Sequence, residues 1–253
     1  RNLTKSDECN IKYPKGILIV GMPGCGKTMI AKSIANKFGV SLLRLDLTRL
    51  MGKYYGESET NLRIALATAE AAHPCVLWID EIEKAFAGTN GQNNDNLVMR
   101  LMGHFLTWMQ ERESPVYIVA TANDVMRPEF MRKGRFDEVY FVDFPTAEER
   151  EVIFEKKIAK YRDARKSVFD FSSVKDYKRI VNDSHMKGEY GGFSGAEIES
   201  IVNTVIEKKF IELIERQSNG EKIEKIRLTE NDFIAAAEEI KDSVMANLKS
   251  EKD

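Results

Sequence analysis

One stretch of the chain has the residue types and spacing of a loop that holds phosphate groups. It runs Gly21-Met22-Pro23-Gly24-Cys25-Gly26-Lys27-Thr28 and matches the pattern G-x-x-x-x-G-K-S/T. Glycines let backbone N–H groups close around phosphate oxygens, and a helix that follows adds positive potential at its N-terminus. In such a loop the lysine reaches the terminal phosphates and the threonine hydroxyl binds Mg²⁺. The residues that we expect to contact a nucleotide here are Pro23, Gly24, Cys25, Gly26, Lys27, Thr28 and Met29.

The segments on either side of this loop supply the context that the motif requires. The apolar run 17–20 predicts a buried strand before the loop, and residues 29–35 have helical periodicity after it. The alternative is a glycine-rich turn that matches the pattern by chance. Such a turn would not need a strand on one side and a helix on the other, so the sequence favours a phosphate-binding loop.

An acidic pair at the end of another apolar run is the second candidate element. Residues 76–79 are continuously apolar, as expected for a parallel strand that is covered on both faces, and Asp80 and Glu81 follow them. We expect Asp80 to hold Mg²⁺, usually through water, and Glu81 to orient and deprotonate an attacking water molecule. The alternative is an acidic pair that only ends a strand, and the phosphate loop argues against it.

Asn123 is the third candidate, because it follows the apolar run 116–120. If this strand lies beside the strand that ends at Asp80, the amide of Asn123 points towards the terminal phosphate and the water. An ordinary asparagine in a turn is the alternative.

The remaining pattern predicts a parallel sheet covered by helices, because strands alternate with helices up to Pro145. The five predicted strands are 17–20, 40–45, 76–79, 116–120 and 139–144. Ser58 is predicted to cap a helix that reaches about His73, and residues 87–96 are predicted to form a loop before a helix at about 97–110. From Thr146 the chain reads as helical, with capping-box patterns at 146–149 and 194–197 and a cap at Thr229. We therefore predict two domains, 1–145 and 146–253.

Composition limits the class of protein. The chain has 253 residues, 43% of them apolar and 31% charged, and a net charge of −2. These values suit a folded globular protein and give no reason to expect a nucleic-acid partner. No apolar run approaches the roughly 20 residues of a membrane span. Because the first residue is Arg1 rather than Met, we expect a fragment or a processed chain. Three cysteines without C-x-x-C spacing favour a reducing compartment, and nothing in the pattern of cysteines and histidines predicts a zinc site.

Taken together, these blocks resemble the AAA ATPases of the extended AAA+ class, which are related to the ATPase part of FtsH-type proteins. The blocks are 21–28, 76–81, 120–124, 134–137 and 192–197. Residues 74–86 and 132–138 are similar, more narrowly, to the AAA proteins first named as hypothetical chloroplast reading frames, which occur in plastids and bacteria. The resemblance implies an α/β P-loop NTPase fold, a three-layer parallel sheet with helices on both faces, followed by a small all-helical lid domain. It also implies ATP hydrolysis with ATP and Mg²⁺ bound.

The resemblance implies roles for further residues. Arg135 matches the arginine finger, which enters the neighbouring subunit's site in a ring, usually of six, and neutralises charge on the transferred phosphoryl group. Many relatives have a second arginine where this chain has Glu138, and Arg132 is the candidate substitute. A solvated basic turn is the alternative for this segment. Gly195 and Ala196 lie where other branches have a lid arginine, so we expect the lid to contact the nucleotide through backbone and small side chains.

Tyr54 and Tyr55 match the first pore loop of AAA machines that thread polypeptide. A ring of flat, amphipathic side chains can grip an extended chain without reading its sequence. The alternative is that both tyrosines pack locally. Residues 87–96 lie where a second pore loop would be.

These observations favour a ring-forming, ATP-driven motor that remodels or unfolds a protein substrate. The alternative is an ATP-dependent switch or scaffold that regulates partner assembly without threading. A nucleic-acid motor is a third possibility, against which the near-neutral net charge counts. The expected partners are further copies of this chain and an unidentified protein, and the expected compartment is the cytoplasm or the plastid stroma.

Overall fold

The structure is a computed structural model, and it describes residues 13–47, 57–86, 92–124, 128–132, 134–182 and 192–250. The chain divides into two compact units, Arg1–Val142 and Asp143–Asp253.

The first unit alternates strands and helices. In chain order its elements are β1 (Gly16–Gly21), α1 (Lys27–Phe38), β2 (Ser41–Leu45), α2 (Glu57–Ala71), β3 (Cys75–Ile79), α3 (Ile82–Phe86), α4 (Gln92–Glu111), β4 (Val116–Ala122) and β5 (Glu138–Val142), with a 3-10 turn at Pro128–Met131 before β5. All five predicted strands are present, and each lies within about two residues of its predicted position.

The strands form one parallel sheet in the order β2-β3-β4-β1-β5. Because all strands run the same way, their carboxyl ends meet at one edge of the sheet. The phosphate loop follows β1, the acidic pair follows β3 and Asn123 follows β4. The order makes β4 the neighbour of both β1 and β3, so the sheet brings the three candidate segments to adjacent positions.

Both faces of the sheet are buried, because successive side chains along a strand point to opposite faces and both sets are apolar. Leu18 of β1 faces one apolar cluster, whereas Ile17 and Ile19 face the other. The second cluster includes the small residues Ala31 and Ala35 of α1, which let this helix lie close to the sheet. The first cluster contains residues of α2 and α4, namely Leu62, Leu66, Phe105 and Met109. The predicted three-layer arrangement, a parallel sheet with helices on both faces, is confirmed.

Two helix boundaries differ from the prediction. Ser58 lies in the first turn of α2 and is fully buried, rather than capping the helix from outside. The other difference concerns α4, which begins at Gln92, five residues before the predicted start at Leu97. Its first turn consists of polar residues, and polar residues suit a helix N-terminus without adding to the apolar periodicity on which the prediction relied.

The second unit is mostly helical. It contains α5 (Ala147–Arg162), β6 (Phe169–Ser173), α6 (Tyr177–Asn182), α7 (Gly195–Ser218), β7 (Ile226–Thr229) and α8 (Glu230–Ser250). Both predicted capping boxes are present: Thr146 and Glu149 exchange side chain-to-backbone hydrogen bonds, as do Ser194 and Glu197. The hydroxyl of Thr229 likewise accepts a hydrogen bond from the backbone N–H of Asp232, at 3.4 Å.

The expectation of an all-helical second region needs one correction, because β6 and β7 pair as a two-stranded parallel sheet. Apolar side chains alternate with polar ones in both strands, Phe169 and Phe171 in β6 and Ile226 and Leu228 in β7. Strands of five and four residues separated by some fifty residues give too short a pattern to be recognised singly. They pack on an apolar core that includes Phe154, Ile198, Val202 and Phe233.

Among the described helices, none is both long enough and apolar enough to cross a membrane.

Candidate active site

The phosphate loop connects β1 to α1 with two residues in left-handed backbone conformations. Gly24 has a φ of 80° and Gly26 a φ of 87°. Residues with a Cβ rarely adopt these φ values, so the glycines of the motif let the loop curl back on itself before α1 begins.

Lys27 is the buried cation of this loop. Its side chain is 7% exposed, and its Nζ donates hydrogen bonds of 2.7 Å to the carbonyl oxygens of both Gly21 and Met22. Burial lowers the pKa of Lys27, while Cys25 and the carboxylates that follow β3 act in the opposite direction. The loop therefore holds an ammonium group by its own carbonyls, with capacity for a third hydrogen bond.

The start of α1 suits an anion. Over its first turn, all of which the structure describes, Gly26 supplies no capping side chain and no acidic residue is present. The first N–H groups of a helix lack partners within the helix, and its dipole favours negative charge there. The next residue of the motif, Thr28, is half-buried and Met29 is 62% exposed. These features fit the phosphates of a nucleotide.

At the neighbouring strand ends, the acidic pair is bound to β4. The hydroxyl of Thr121 donates a hydrogen bond of 2.6 Å to Oδ1 of Asp80 and accepts one of 3.1 Å from the backbone N–H of Glu81. Asp80 keeps its other oxygen, Oδ2, 4.0 Å from a guanidinium nitrogen of Arg44. The carboxylate of Asp80 is therefore held through one oxygen, and the second is the less tightly engaged.

Asn123 binds the two other acidic residues of this segment. Its side-chain Nδ2 donates to Oε1 of Glu81 at 2.9 Å, and its backbone N–H donates to Oε1 of Glu83 at 3.1 Å. The structure thus places Asn123 beside the acidic pair, whereas its predicted orientation towards the terminal phosphate and the water stays a prediction. Glu83 has a second, buried oxygen, Oε2, that has no hydrogen-bond partner among the described residues.

Glu81 combines an unusual backbone with an ion pair. Its φ is 50°, the one positive value at a non-glycine residue in the described part of the chain. Its Oε2 lies 2.8 Å from Nζ of Lys84, which belongs to the first turn of α3. The hydrogen bond from Lys84 is the largest influence on the pKa of Glu81 and lowers it; burial opposes this, and the hydrogen bond from Asn123 adds to the lowering. The group is therefore ionised at neutral pH, as a general base must be.

The metal-binding capacity of this region is small by itself. In the described ranges, no three histidine, cysteine, aspartate or glutamate side chains cluster closely enough to hold a metal ion. Mg²⁺ is usually held by one or two carboxylates together with substrate phosphates and water rather than by an all-protein cage. Thr28 and Asp80 are the residues present that fit such an ion.

Arg135 lies in a turn that is held in place by the two residues that follow it. Phe136 is buried in the sheet core. Asp137 exchanges two hydrogen bonds of 2.8 Å with Gly16, one through its backbone N–H and one through Oδ2. Arg135 itself is half-buried, burial lowers its pKa, and its Nη1 has no hydrogen-bond partner among the described residues. The candidate substitute, Arg132, is exposed.

The remaining predicted site residues belong to other segments of the chain. Gly195 and Ala196 form the first turn of α7 in the second unit. Tyr54 and Tyr55 lie outside the described residues, as does the start of the predicted loop 87–96.

Three residues of the site were missed by the sequence reasoning: Thr121, Glu83 and Lys84. Thr121 and Asn123 are two residues apart at the end of β4, and residues two apart along a strand place their side chains on the same face. This spacing was the signal in the sequence that could have identified Thr121. Glu83 and Lys84 lie two and three residues after Glu81, but nothing in their spacing tells which partner each would find.

Comparison with known proteins assigns the chain to a family. Residues 17–144 match the AAA family, the ATPase family associated with various cellular activities. The chain is 43% identical over 200 residues to the AAA domain-containing protein ycf46 of Guillardia theta, a match that covers 78% of this chain and 37% of that protein. It is 40% identical over 215 residues to ycf46 of Pyropia yezoensis, covering 84% of this chain and 41% of that protein.

A further relative carries an activity in its name. The peroxisomal ATPase pex1 of Schizosaccharomyces pombe is 39% identical over 153 residues, which are 59% of this chain and 16% of that protein. This chain thus spans about two fifths of the ycf46 proteins and less of pex1. The resemblance to AAA proteins first named as hypothetical chloroplast reading frames is confirmed, and the chain belongs to the AAA family of ATPases.

Proposed function

We propose that this chain binds ATP with Mg²⁺ and hydrolyses the terminal phosphate bond. The observation that carries the proposal is the pair of hydrogen bonds that join β4 to the acidic pair, from Asn123 to Glu81 and from Thr121 to Asp80. They hold the proposed base and the proposed metal-binding carboxylate at the edge of the sheet from which the phosphate loop also starts.

In this proposal the phosphate loop supplies binding. The backbone N–H groups of residues 23–29 and the ammonium of Lys27 hold the phosphates, and Lys27 exchanges one or both of its carbonyl partners for phosphate oxygens. Thr28 and Asp80 hold the metal ion. Bound Mg²⁺ neutralises charge on the phosphates and aligns them for attack.

Glu81 acts as the base that accepts the proton of the attacking water. Both of its carboxylate oxygens have partners, Oε1 with Asn123 and Oε2 with Lys84. Lys84 is exposed, with 58% of its side chain in contact with solvent, so its ion pair is the one more readily exchanged for water. Asn123 keeps the carboxylate aimed while Oε2 takes up the water.

Hydrolysis is completed by a neighbouring copy of the chain. We propose that Arg135 reaches a neighbour's site in a ring, usually of six in this family, and neutralises the charge on the transferred group. Nη1 of Arg135 is buried and has no hydrogen-bond partner among the described residues, and this unused donor capacity supports the proposed role. Glu138 stands in place of a second arginine, and Arg132 is the proposed substitute.

The work that hydrolysis drives is proposed from the family. A ring that remodels or unfolds a protein would grip it with Tyr54 and then Tyr55. The alternative is a switch or scaffold in which ATP controls partner assembly. A nucleic-acid substrate is not proposed, since the net charge is −2 and offers no general attraction to phosphate backbones.

We propose that residues 1–145 form the nucleotide-binding core and that residues 146–253 form the lid, with Gly195 and Ala196 at its contact with the nucleotide. The boundary between compact units at Val142 and Asp143 supports this division. The proposed compartment is the cytoplasm or the plastid stroma. Relatives of the ycf46 type support the stroma, and three cysteines without C-x-x-C spacing suit either reducing environment.

The proposal is tested by measuring ATP affinity and steady-state hydrolysis for the wild-type chain, Lys27→Ala and Glu81→Gln. Loss of the lysine should weaken ATP binding itself. Glu81→Gln should retain ATP binding and lose turnover, since only the base is removed. Near-normal hydrolysis by Glu81→Gln would overturn the assignment of the base.

A further inference from the structure

One hydroxyl group lies between the two acidic residues of the site. Thr121, the last residue but one of β4, is fully buried. Its Oγ1 is 2.6 Å from Oδ1 of Asp80 and 3.1 Å from the backbone nitrogen of Glu81. A carboxylate can only accept a hydrogen bond and a backbone N–H can only donate one, so the direction of both bonds is fixed. The single proton of the hydroxyl goes to Asp80, and an oxygen lone pair accepts the N–H of Glu81.

We propose that Thr121 is a positioning residue for hydrolysis, which orients the metal-binding carboxylate and the base together through this one hydroxyl. The inference rests on the proposed roles of Asp80 and Glu81 and adds a third residue, which acts through those two.

The effect on Asp80 follows from which oxygen is engaged. With Oδ1 held by the hydroxyl, the carboxylate cannot rotate freely, and Oδ2 is the oxygen left to face a metal ion or its water. Oδ2 lies 4.0 Å from a guanidinium nitrogen of Arg44, a longer and weaker contact than the hydrogen bond at Oδ1. Removing a group that orients a metal ligand in this way typically lowers metal affinity or activity by about 10-fold to 100-fold.

The effect on Glu81 follows from its backbone. The φ of 50° lies in the left-handed region of backbone conformation, which residues with a Cβ seldom adopt. The surrounding structure must maintain such a conformation, and the hydrogen bond from the N–H of Glu81 to Thr121 is a direct restraint on it. This backbone conformation directs the Glu81 side chain to Asn123, whose Nδ2 lies 2.9 Å from Oε1. Loss of the hydroxyl would release both restraints at once.

The competing explanation is that the hydroxyl only satisfies polar groups at the end of the sheet. That role would change stability but would leave the response to Mg²⁺ unaltered. The two explanations therefore differ in a measurement that does not depend on turnover: the gain in nucleotide affinity when Mg²⁺ is added.

The experiment compares Thr121→Val, which keeps the shape of the side chain without its hydroxyl, with Thr121→Ser, which keeps the hydroxyl. Affinity for fluorescent ADP and ATP is measured with EDTA and with Mg²⁺, and hydrolysis is then titrated with Mg²⁺. Thr107→Val is the matched control, since Thr107 is exposed on α4. Thr121→Ala is a second variant without the hydroxyl, in case Thr121→Val does not fold.

We expect Thr121→Val to bind nucleotide in EDTA as tightly as the wild type, because the phosphate loop is intact. It should lose most of the gain in affinity from Mg²⁺ and need about 10-fold more Mg²⁺ for half-maximal hydrolysis. Thr121→Ser should recover the response to Mg²⁺ relative to Thr121→Val. An unaltered Mg²⁺ response in Thr121→Val, or equal damage in Thr121→Ser, would overturn the inference.

Asp80→Asn separates failure of this inference from failure of the proposed function. If Asp80→Asn does not alter the Mg²⁺ response, the proposed role of Asp80 is wrong and the inference fails with it. If Asp80→Asn alters the response and Thr121→Val does not, only the role of Thr121 is wrong. If Thr121 acts through Asp80, adding Thr121→Val to Asp80→Asn should cause no further loss of Mg²⁺ affinity.

Discussion

Nδ2 of Asn123 donates a hydrogen bond of 2.9 Å to Oε1 of Glu81, across the ends of two neighbouring strands. The same asparagine is held in place by its backbone N–H, which donates to Glu83. The amide therefore has a fixed position from which it sets the orientation of the glutamate. This arrangement couples the end of β4 to the end of β3.

Asn123→Ala should reduce turnover and leave ATP affinity nearly unchanged. The base stays present but loses the group that aims it, and we expect turnover to fall by about 10²-fold, the low end for a positioned acid–base group. Steady-state hydrolysis and equilibrium ATP binding check the two halves of this expectation. Asn36→Ala, at an exposed position near the end of α1, is the matched control. A variant that loses binding and turnover in equal measure would show that Asn123 acts on the nucleotide rather than on Glu81.

Arg135→Ala should reduce ATP turnover by removing a group that each subunit supplies to its neighbour's site. If Arg135 acts in a neighbour's site, activity per subunit of the wild type should rise with protein concentration. The substitution should lower turnover by about 10³-fold, the low end for arginine fingers, and should affect ATP affinity much less. Both quantities are measured over a range of protein concentrations.

Mixing Arg135→Ala with Glu81→Gln gives the decisive test of action between subunits. Each variant supplies the residue that the other lacks, so mixed rings should regain some complete sites. If both are inactive alone, assemble together and show no recovery, Arg135 does not act on a neighbour.

Gly192→Ala should destabilise the second unit. The backbone of Gly192 has a φ of 137°, and an added Cβ would lie 2.5 Å from Nη1 of Arg150. Arg150 has little room to move, because it is buried and donates hydrogen bonds of 2.7 Å to Asn182 and to the carbonyl of Pro145. We expect a loss of about 1–3 kcal/mol in the free energy of unfolding, as for other overpacked sites.

Gly103→Ala is the control for this prediction. Gly103 lies within α4, and an added Cβ there would have no atom within 4 Å. Alanine should therefore stabilise the helix by about 0.5–1 kcal/mol. Denaturant unfolding of the two variants gives both values, and Gly192→Ala as stable as the wild type would show that Arg150 yields without cost.

The sequence predicted those parts of the site that depend on local spacing. The phosphate loop, its flanking strand and helix, and the acidic pair each lie within one short segment. The hydrogen bonds of Thr121 could not be predicted, since they depend on the register that pairs Ile79 with Ala120 across β3 and β4. The pairing of β6 with β7 was missed for a related reason, because two short strands gain their stability from each other and not from their own sequences.

Tyr54→Ala tests whether the ring threads a polypeptide. A pore aromatic takes no part in phosphoryl transfer, so its removal should spare basal hydrolysis and abolish work on the substrate. Tyr54 matches the gripping position and Tyr55 the supporting one, so Tyr54→Ala should be the more damaging of the two substitutions. The measurements are thermal stability, basal ATP hydrolysis and remodelling of a partner protein.

The three measurements separate threading from its alternatives because each role of Tyr54 gives a different pattern. Normal stability and hydrolysis with lost remodelling would support threading. If Tyr54 instead packs in an apolar environment, the substitution should lower the free energy of unfolding by ~3 kcal/mol or more, as loss of a buried aromatic side chain does. Normal values in all three would contradict threading. They would favour a switch, in which ATP regulates partner assembly and no side chain needs to grip a moving chain.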